Sequence, residues 1–439
     1  MDEPIVAVLG LPGFRLLEVN ELDGELEFVV ETMPAIVGCS GCGTRARAKD
    51  RREVLLRDLA QGERSVRIRL RKRIWCCVDP DCAVKTWTEQ TWLVCPRQHL
   101  TNRARSEICR RVGEENTSVA RCARNFGVGW DAAWRSVVDV GAPMVDDPAR
   151  LAEVTSVGLD ETMFLHARRK RRRVLVTGAV DVETGILLDV FSGREAADLR
   201  RWMATLPPSW LDQIQVISVD PHEGYRSAVV GDDPTTGLPS PWRHVTVVVD
   251  PFHIVRLGNQ AVTKCRQRVQ QDLLGHRGWR DDPLYKIRRL LLVGSERLDD
   301  KGFAKLRAEL DAGDPLDHVT EAWLAKEQLR SVYLTDDVEV ATVRLDETIA
   351  FAKASEVPEV QTLAKSLVRW RVEILAHHTT GASNGPTEAV NLTIKAVKRC
   401  GRGFRNFANY RLRLLLVAGV RWQTAPVTRL RGGAPRLIA

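Results

Sequence analysis

The spacing of its cysteines limits the folds open to this chain more than any other feature. Cys39-Ser-Gly-Cys42 is followed, after 34 intervening residues, by Cys77-Val-Asp-Pro-Asp-Cys82. Two thiol pairs at C-x2-C and C-x4-C spacing, each on a tight turn and joined by strands, suit a structural tetrahedral Zn2+ in a ribbon-like module. Ser40 and Gly41 permit the first turn, and Pro80 bends the second. Cys76 adjoins Cys77 and makes the register ambiguous; Cys77 is favoured because C-x5-C is the less usual spacing. Ten cysteines in all, diluted over 439 residues, do not read as a disulfide scaffold.

Between the two pairs, "VRIRLRKRIW" (66–75) alternates Val66, Ile68 and Leu70 with Arg67, Arg69 and Arg71, and continues to Arg73. Period-two alternation predicts a strand with one apolar face and one cationic face. The four arginines are therefore candidate phosphate contacts. Residues 1–35 read as a short β-rich or irregular lead-in, so residues 1–90 form the lead-in and zinc module. The pattern then turns helical. "NTSVARCARNFGVGWDAAWRSVVDV" offers Thr117 or Ser118 as a cap, Gly127 at a turn and a second helix from about Trp130 to Val138. That layout fits a helix-turn-helix within residues 91–140. "DVGAPMVDDPARL" (139–151), rich in Pro, Gly and Asp, reads as a linker, bounded at 141–153.

From residue 154 the period is that of strands. "VTSVGLDETMFL", "RVLVTGAVDV" and "GILLDVFSG" precede an amphipathic helix, "REAADLRRWMATL". The strand "IQVISVD" follows, then a short helix near Tyr225 and the strand "HVTVVVD". Three strands, helix, strand, helix, strand is the element order of an RNase H-like mixed α/β core over 154–251. Residues 252–378 carry only helical spacing and are expected to be an all-helical insertion. The core would resume at 379–425, and 426–439 would be a tail. The expected class is multidomain α+β.

Asp160 lies in the first strand of this sheet and Asp220 ends the fourth, so neighbouring strands can aim both carboxylates at one spot. "SNGPTEAVNLTIKAVKR" (383–399) opens a further helix, with Ser383 or Asn384 as cap, Pro386 in the first turn and Glu388 as third acid. Three converging carboxylates repel one another unless Mg2+, or Mn2+ in its place, binds among them. Two such ions about 3.5–4 Å apart form a clamp for phosphodiester chemistry. Lys395 and Arg399 fall on nearly the same helix face as Glu388 and are candidate phosphate contacts, with Arg402 and Arg405 beyond. Asp250 is the rival third acid, and His253 a possible contact. Glu161 should point to the opposite face of its strand from Asp160. His377-His378 reads as loop or DNA contact.

A net charge of +8 conceals local clusters: 66–75, "ARRKRRR" (167–173) and 395–413. Such patches favour a polyanion, usually nucleic acid. No apolar run approaches the roughly 18–20 residues that span a bilayer, and "MDEPIVAVLGLPGF" is a poor signal peptide. A cytoplasmic, nucleoid-associated protein is expected, with no membrane partner.

In combination, the cysteine module, the helix-turn-helix, "VGLDET", "ISVD", "VVVDPFHIV" and "SNGPTEAVNLTIKAVKRCGRGFRNFANYRLRLLL" resemble bacterial insertion-sequence transposases of the ISL3 family. The likeness runs from about residue 36 to 423. It implies a DDE transposase whose RNase H-like core is interrupted by an all-helical insertion, with its triad at Asp160, Asp220 and Glu388. Such an enzyme would bind terminal inverted repeats in double-stranded DNA, as a dimer or higher oligomer, and perform Mg2+-dependent cleavage and strand transfer. The alternative is a catalytically inactive zinc and helix-turn-helix regulator derived from one.

Overall fold

The computed structural model describes residues 9–165 and 173–423. The basic run at 167–173, Arg173 excepted, and the tail at 426–439 lie outside the described residues. The chain forms two units, one of Met1–Asp147 with Ala396–Ala439, the other of Pro148–Lys395.

The first unit begins with a five-stranded sheet. Hairpin strands β1 (Phe14–Leu22) and β2 (Glu25–Thr32) precede the long hairpin β3 (Arg47–Gln61) and β4 (Arg64–Cys76), and β5 (Thr86–Thr88) pairs with the end of β4. The order is β1-β2-β4-β3. Residues 14–32 are therefore more than a lead-in: β2 runs parallel to β4, with Leu26 opposite Val66 and Val30 opposite Leu70. Val66, Ile68 and Leu70 all turn inward and are buried with Phe28, Val30 and Leu56, as the alternation requires.

Three helices follow: α1 (Asn102–Gly113), α2 (Val119–Asn125) and α3 (Trp130–Val145). The Ser118 hydroxyl caps α2 by accepting from the Arg121 N–H, and Gly127 turns the chain at φ +59° before α3. The segment read as a linker is helical as far as Val145, with Pro143 inside α3. Buried Gly141 explains why the helix persists there, since a Cβ at that position would press on Leu416 and Cys109. The packed face of α3 outweighs the local preference of Pro and Gly for a loop.

In the second unit a five-stranded sheet has the order β10-β9-β6-β7-β8, built from β6 (Ser156–Leu165), β7 (Val174–Asp181), β8 (Leu187–Ser192), β9 (Val216–Val219) and β10 (Thr246–Val249). β6, β7 and β8 pair antiparallel, while β9 joins β6, and β10 joins β9, in parallel. Helices α4 (Ala196–Met203), α5 (Pro208–Gln213) and α6 (Glu223–Val230) connect them. One face is closed by Trp202, Trp210 and Trp242, with Leu159, Ile217 and Val219 from the strands.

From Pro251 onward the described chain is helical as far as Thr380: α7 (Pro251–Leu274), α8 (Pro283–Lys286), α9 (Asp300–Gly313), α10 (His318–Val332), α11 (Val338–Ala354), α12 (Pro358–Arg369) and α13 (Arg371–Thr380). They share a core containing Ile254, Val262, Leu329, Leu345 and Leu367. His377 and His378 lie on α13 rather than in a loop; the Nδ1 of His377 is 2.7 Å from the Ala382 carbonyl, and His378 stacks on Tyr333. Helix α14 (Gly385–Cys400) then passes close to β6, where a Cβ on Gly158 would lie 2.2 Å from Thr387 Oγ1.

The last helix, α15 (Phe407–Ala418), departs from expectation. It packs on α1 and α3 in the first unit instead of completing the sheet domain, and Leu414, Leu415 and Leu416 are fully buried.

Candidate metal centres and active site

β6 and β9 stop pairing at Leu159 and Val219. The next residue of each strand is an aspartate, so Asp160 and Asp220 emerge side by side where the sheet opens. Carboxylate oxygens of Asp160, Glu161 and Asp220 lie within 4.8 Å of one another. Glu161 is thus in the same cluster as Asp160, against the expectation from alternation. The reason is local: Asp160 Oδ1 turns back to accept the Glu161 N–H at 2.7 Å. Beyond Leu159 the strand also has no neighbour on that edge to keep the two side chains apart. Glu161 is paired outward with Arg194 at 3.0 Å.

Helix α14 and the residue just before it supply neutral donors to both aspartates. Asn391 Nδ2 donates to Asp160 Oδ2, and Asn384 Nδ2 donates to Asp220 Oδ1 at 3.4 Å. The Asn384 N–H also donates to Asp250 Oδ1 at 2.9 Å. Glu388 begins the helical ladder, donating its N–H to the Asn384 carbonyl at 3.0 Å. At about 100° per residue it lies about 40° around the helix from Asn384 and about 60° from Asn391. Its side chain is exposed, is not part of the three-carboxylate cluster and has no partner among the described residues. Lys395 and Arg399 are exposed further along α14.

Asp250, the rival acid, has a structural occupation. It caps α7 by accepting the His253 N–H, and it faces His253 Nδ1 at 3.1 Å. His253 Nε2 is 3.1 Å from Asp220 Oδ2, so the imidazole bridges two acids. Sequence reasoning singled out His253 but missed Asn384 and Asn391 as partners of the aspartates; their only signal was a spacing of seven on a helix that also carries Glu388.

Burial raises Asp160 to about 6, and the neighbouring Glu161 charge adds to the effect. Burial likewise raises Asp220 to about 7, reinforced by Asp160. Burial alone would also raise Asp250, but hydrogen bonds from His253 and the Asn384 N–H outweigh it and hold that carboxyl below its ordinary value. Aspartates that resist ionisation because they are buried beside other carboxylates are what a bound cation would relieve. The oxygen-only donor set of Asp160, Glu161 and Asp220 fits a hard divalent cation.

A second cluster lies in the first unit. The sulfurs of Cys39, Cys42, Cys77 and Cys82 gather within 4.8 Å. Cys39 and Cys82 are 3.7 Å apart, Cys42 and Cys77 3.5 Å. A disulfide requires about 2.05 Å, whereas sulfurs about 2.3 Å from a tetrahedral zinc are about 3.8 Å from one another. Backbone N–H groups of Cys42 and Gly41 lower Cys39 to about 7, so one thiolate is stabilised before any ion binds. Cys76 is outside the cluster, donating to the Cys77 carbonyl.

The arginines of β4, candidate phosphate contacts, are engaged by acids. Acids carried by neighbouring strands pair with their face. Arg67 and Arg69 meet Glu27 at 3.0 and 3.1 Å, Arg69 also meets Glu53 at 3.2 Å, and Arg71 approaches Glu53 at 3.9 Å. The Arg73 side chain is only 6% exposed and is closed off by Glu31 and Glu89. Arg402 and Arg405, by contrast, are exposed, and among the described residues no acid pairs with either. No helix among the described residues is long and apolar enough to cross a membrane.

Residues 157–414, more than half of the chain, match the profile of the ISL3 family described as transposase. The chain is similar to the transposase for insertion sequence element IS1001 of Bordetella parapertussis, 23% identical over 87% of this chain and 88% of that protein. It is also similar to the transposase for insertion sequence element IS1557 of Mycobacterium tuberculosis, 28% identical over 66% of this chain and 67% of that one.

Proposed function

Because this chain belongs to the ISL3 family of transposases, we propose that it cuts DNA at the ends of an insertion sequence and joins the freed 3′-hydroxyl to a target strand. Asp160, Asp220 and Glu388 are its acidic triad, in an RNase H-like core. The observation that carries this reading is that α14 and the residue leading into it touch both aspartates: Asn391 meets Asp160, Asn384 meets Asp220, and Glu388 lies between the two asparagines in the sequence. Glu161 is held by Arg194, whereas Glu388 has no partner among the described residues. That difference favours Glu388 as the third acid.

Asp160, Asp220 and Glu388 would hold divalent cations, Mg2+ or Mn2+, which would supply an activated water or 3′-hydroxyl and charge stabilisation for the departing oxygen. The chain's own contribution is preorganisation. Asn384 and Asn391 each orient one oxygen of an aspartate without adding charge. Lys395 and Arg399 hold phosphate on the exposed side of α14, joined by Arg402 and Arg405. Cys39, Cys42, Cys77 and Cys82 would hold a Zn2+ that locks the β-module, and helices α2 and α3 read the terminal inverted repeats. The protein works in the cytoplasm on nucleoid DNA, as a dimer or larger assembly that pairs two ends.

Excision of the element from a donor plasmid tests the assignment. Asp160→Asn, Asp220→Asn and Glu388→Gln should each lower excision at least about a hundredfold, while DNA binding persists in a gel-shift assay. Wild-type excision by all three variants overturns the catalytic reading and leaves a DNA-binding regulator. Loss in Glu161→Gln but not in Glu388→Gln moves the third position to Glu161.

A further inference from the structure

A recess of about 400 Å3 opens in the first unit, between α2, the start of α3 and the turn at 400–406 that leads into α15. One wall is aromatic: Trp130, 47% exposed, stacks on Trp134 with ring centres 5.8 Å apart, and Phe404 lines the same space. Around it stand Arg124, Arg402 and Arg405, all exposed. No carboxylate lines the recess, and among the described residues none of these three arginines has an ion-pair partner. That contrasts with the β4 arginines, each of which meets an acid.

Arg413 lies at its base, only 2% exposed. Its Nη2 donates to the Thr117 carbonyl at 2.7 Å and to Asn116 Oδ1 at 3.2 Å, yet its Nε has no hydrogen-bond partner. A buried guanidinium facing no carboxylate raises the positive potential of the recess.

Resting on the DNA reading above, we propose that this recess receives a single unpaired nucleotide of a DNA end. The shape carries the choice. A paired duplex is read by elements that protrude into its grooves, and its stacked bases cannot enter a concavity of this size. One base swung out of the helix can, because flat aromatic walls accept a flat base of any identity. The three exposed arginines then meet the phosphates on either side of it. Asn409, which also lines the recess, offers an amide to the base edge.

The test uses the full chain and three fluorescent duplexes carrying an element end: fully paired, with one extrahelical nucleotide, and with an abasic residue at that extrahelical position. The extrahelical base should strengthen binding over the abasic control at least about fivefold. In Trp130→Ala that ratio should fall to about one whatever the absolute affinity, and Trp130→Phe should restore part of it. Quenching of tryptophan fluorescence should accompany the extrahelical base alone. Equal affinity of wild type for the extrahelical and abasic duplexes overturns the proposal, as does an unchanged ratio in Trp130→Ala. Failure of wild type to bind any of the three overturns the DNA reading itself and this inference with it.

Discussion

Asp160 and Asp220 hold their protons to about pH 6 and about pH 7 because burial and mutual repulsion penalise the charged forms. An acid whose native pKa exceeds its unfolded value binds more protons folded than unfolded. The two groups therefore stabilise the metal-free protein least at high pH, the loss developing from near pH 4 to about pH 7. A divalent cation competes with those protons and relieves the repulsion. The rise in melting temperature on adding Mg2+ or Mn2+ should accordingly be larger at about pH 8 than at about pH 5.5, and should shrink in Asp160→Asn and Asp220→Asn; a shift independent of pH would count against the cluster as a cation site. Cys39 makes a parallel case. Elemental analysis should find about one Zn2+ per chain, reduced in Cys39→Ser, and a zinc-free wild type would remove that centre. Both residues were legible early, Cys39 by its spacing and Asp160 by its place in a strand. Glu161 was misread, since alternation fixes where a Cβ points, while a flexible carboxylate at an open strand edge can turn back.

Helix α14 depends on a missing side chain in β6. A methyl on Gly158 would meet Thr387 Oγ1 at 2.2 Å and Asn384 Oδ1 at 2.8 Å, so Gly158→Ala should push the helix and its asparagines off the aspartates. Excision should fall as in the triad variants, while gel-shift affinity for DNA stays near wild type; normal excision would show that this close approach is dispensable. Strand β4 makes the opposite point. Its alternation marks the arginines as phosphate contacts, and Glu27, Glu31 and Glu53, brought in by β2 and β3, compete for them. Measured as log affinity against log salt, Arg402→Ala or Arg405→Ala should reduce the slope by about one, while Arg69→Ala changes it little. The reverse ranking would return the phosphate track to β4. Nothing local to "VRIRLRKRIW" announces those acids, because they lie elsewhere in the sequence and meet the arginines only through strand pairing.

The unit that carries the cysteine cluster and the three helices is not one continuous stretch of chain. It takes α15 from the far end, burying Leu414, Leu415 and Leu416 against α1 and α3. Each fully buried leucine contributes about 1.5–3 kcal/mol, so a fragment ending at Asp147 should lose several kcal/mol and melt early or aggregate. Linking residues 396–423 back to it should restore a cooperative transition; a fragment that is fully stable without them would show the last helix to be incidental. Features that act over a few residues are written along the chain. Thiol spacing set the cysteine cluster, period two and period 3.6 set strands and helices, and places within a strand and at a strand end set Asp160 and Asp220. Tertiary structure alone decided which charges stay free, which carboxylates share a space, and to which unit the final helix belongs. Periodicity and turn chemistry are carried by neighbours along the chain, whereas neutralisation and burial are set by neighbours in space, whose separation in sequence leaves no local trace.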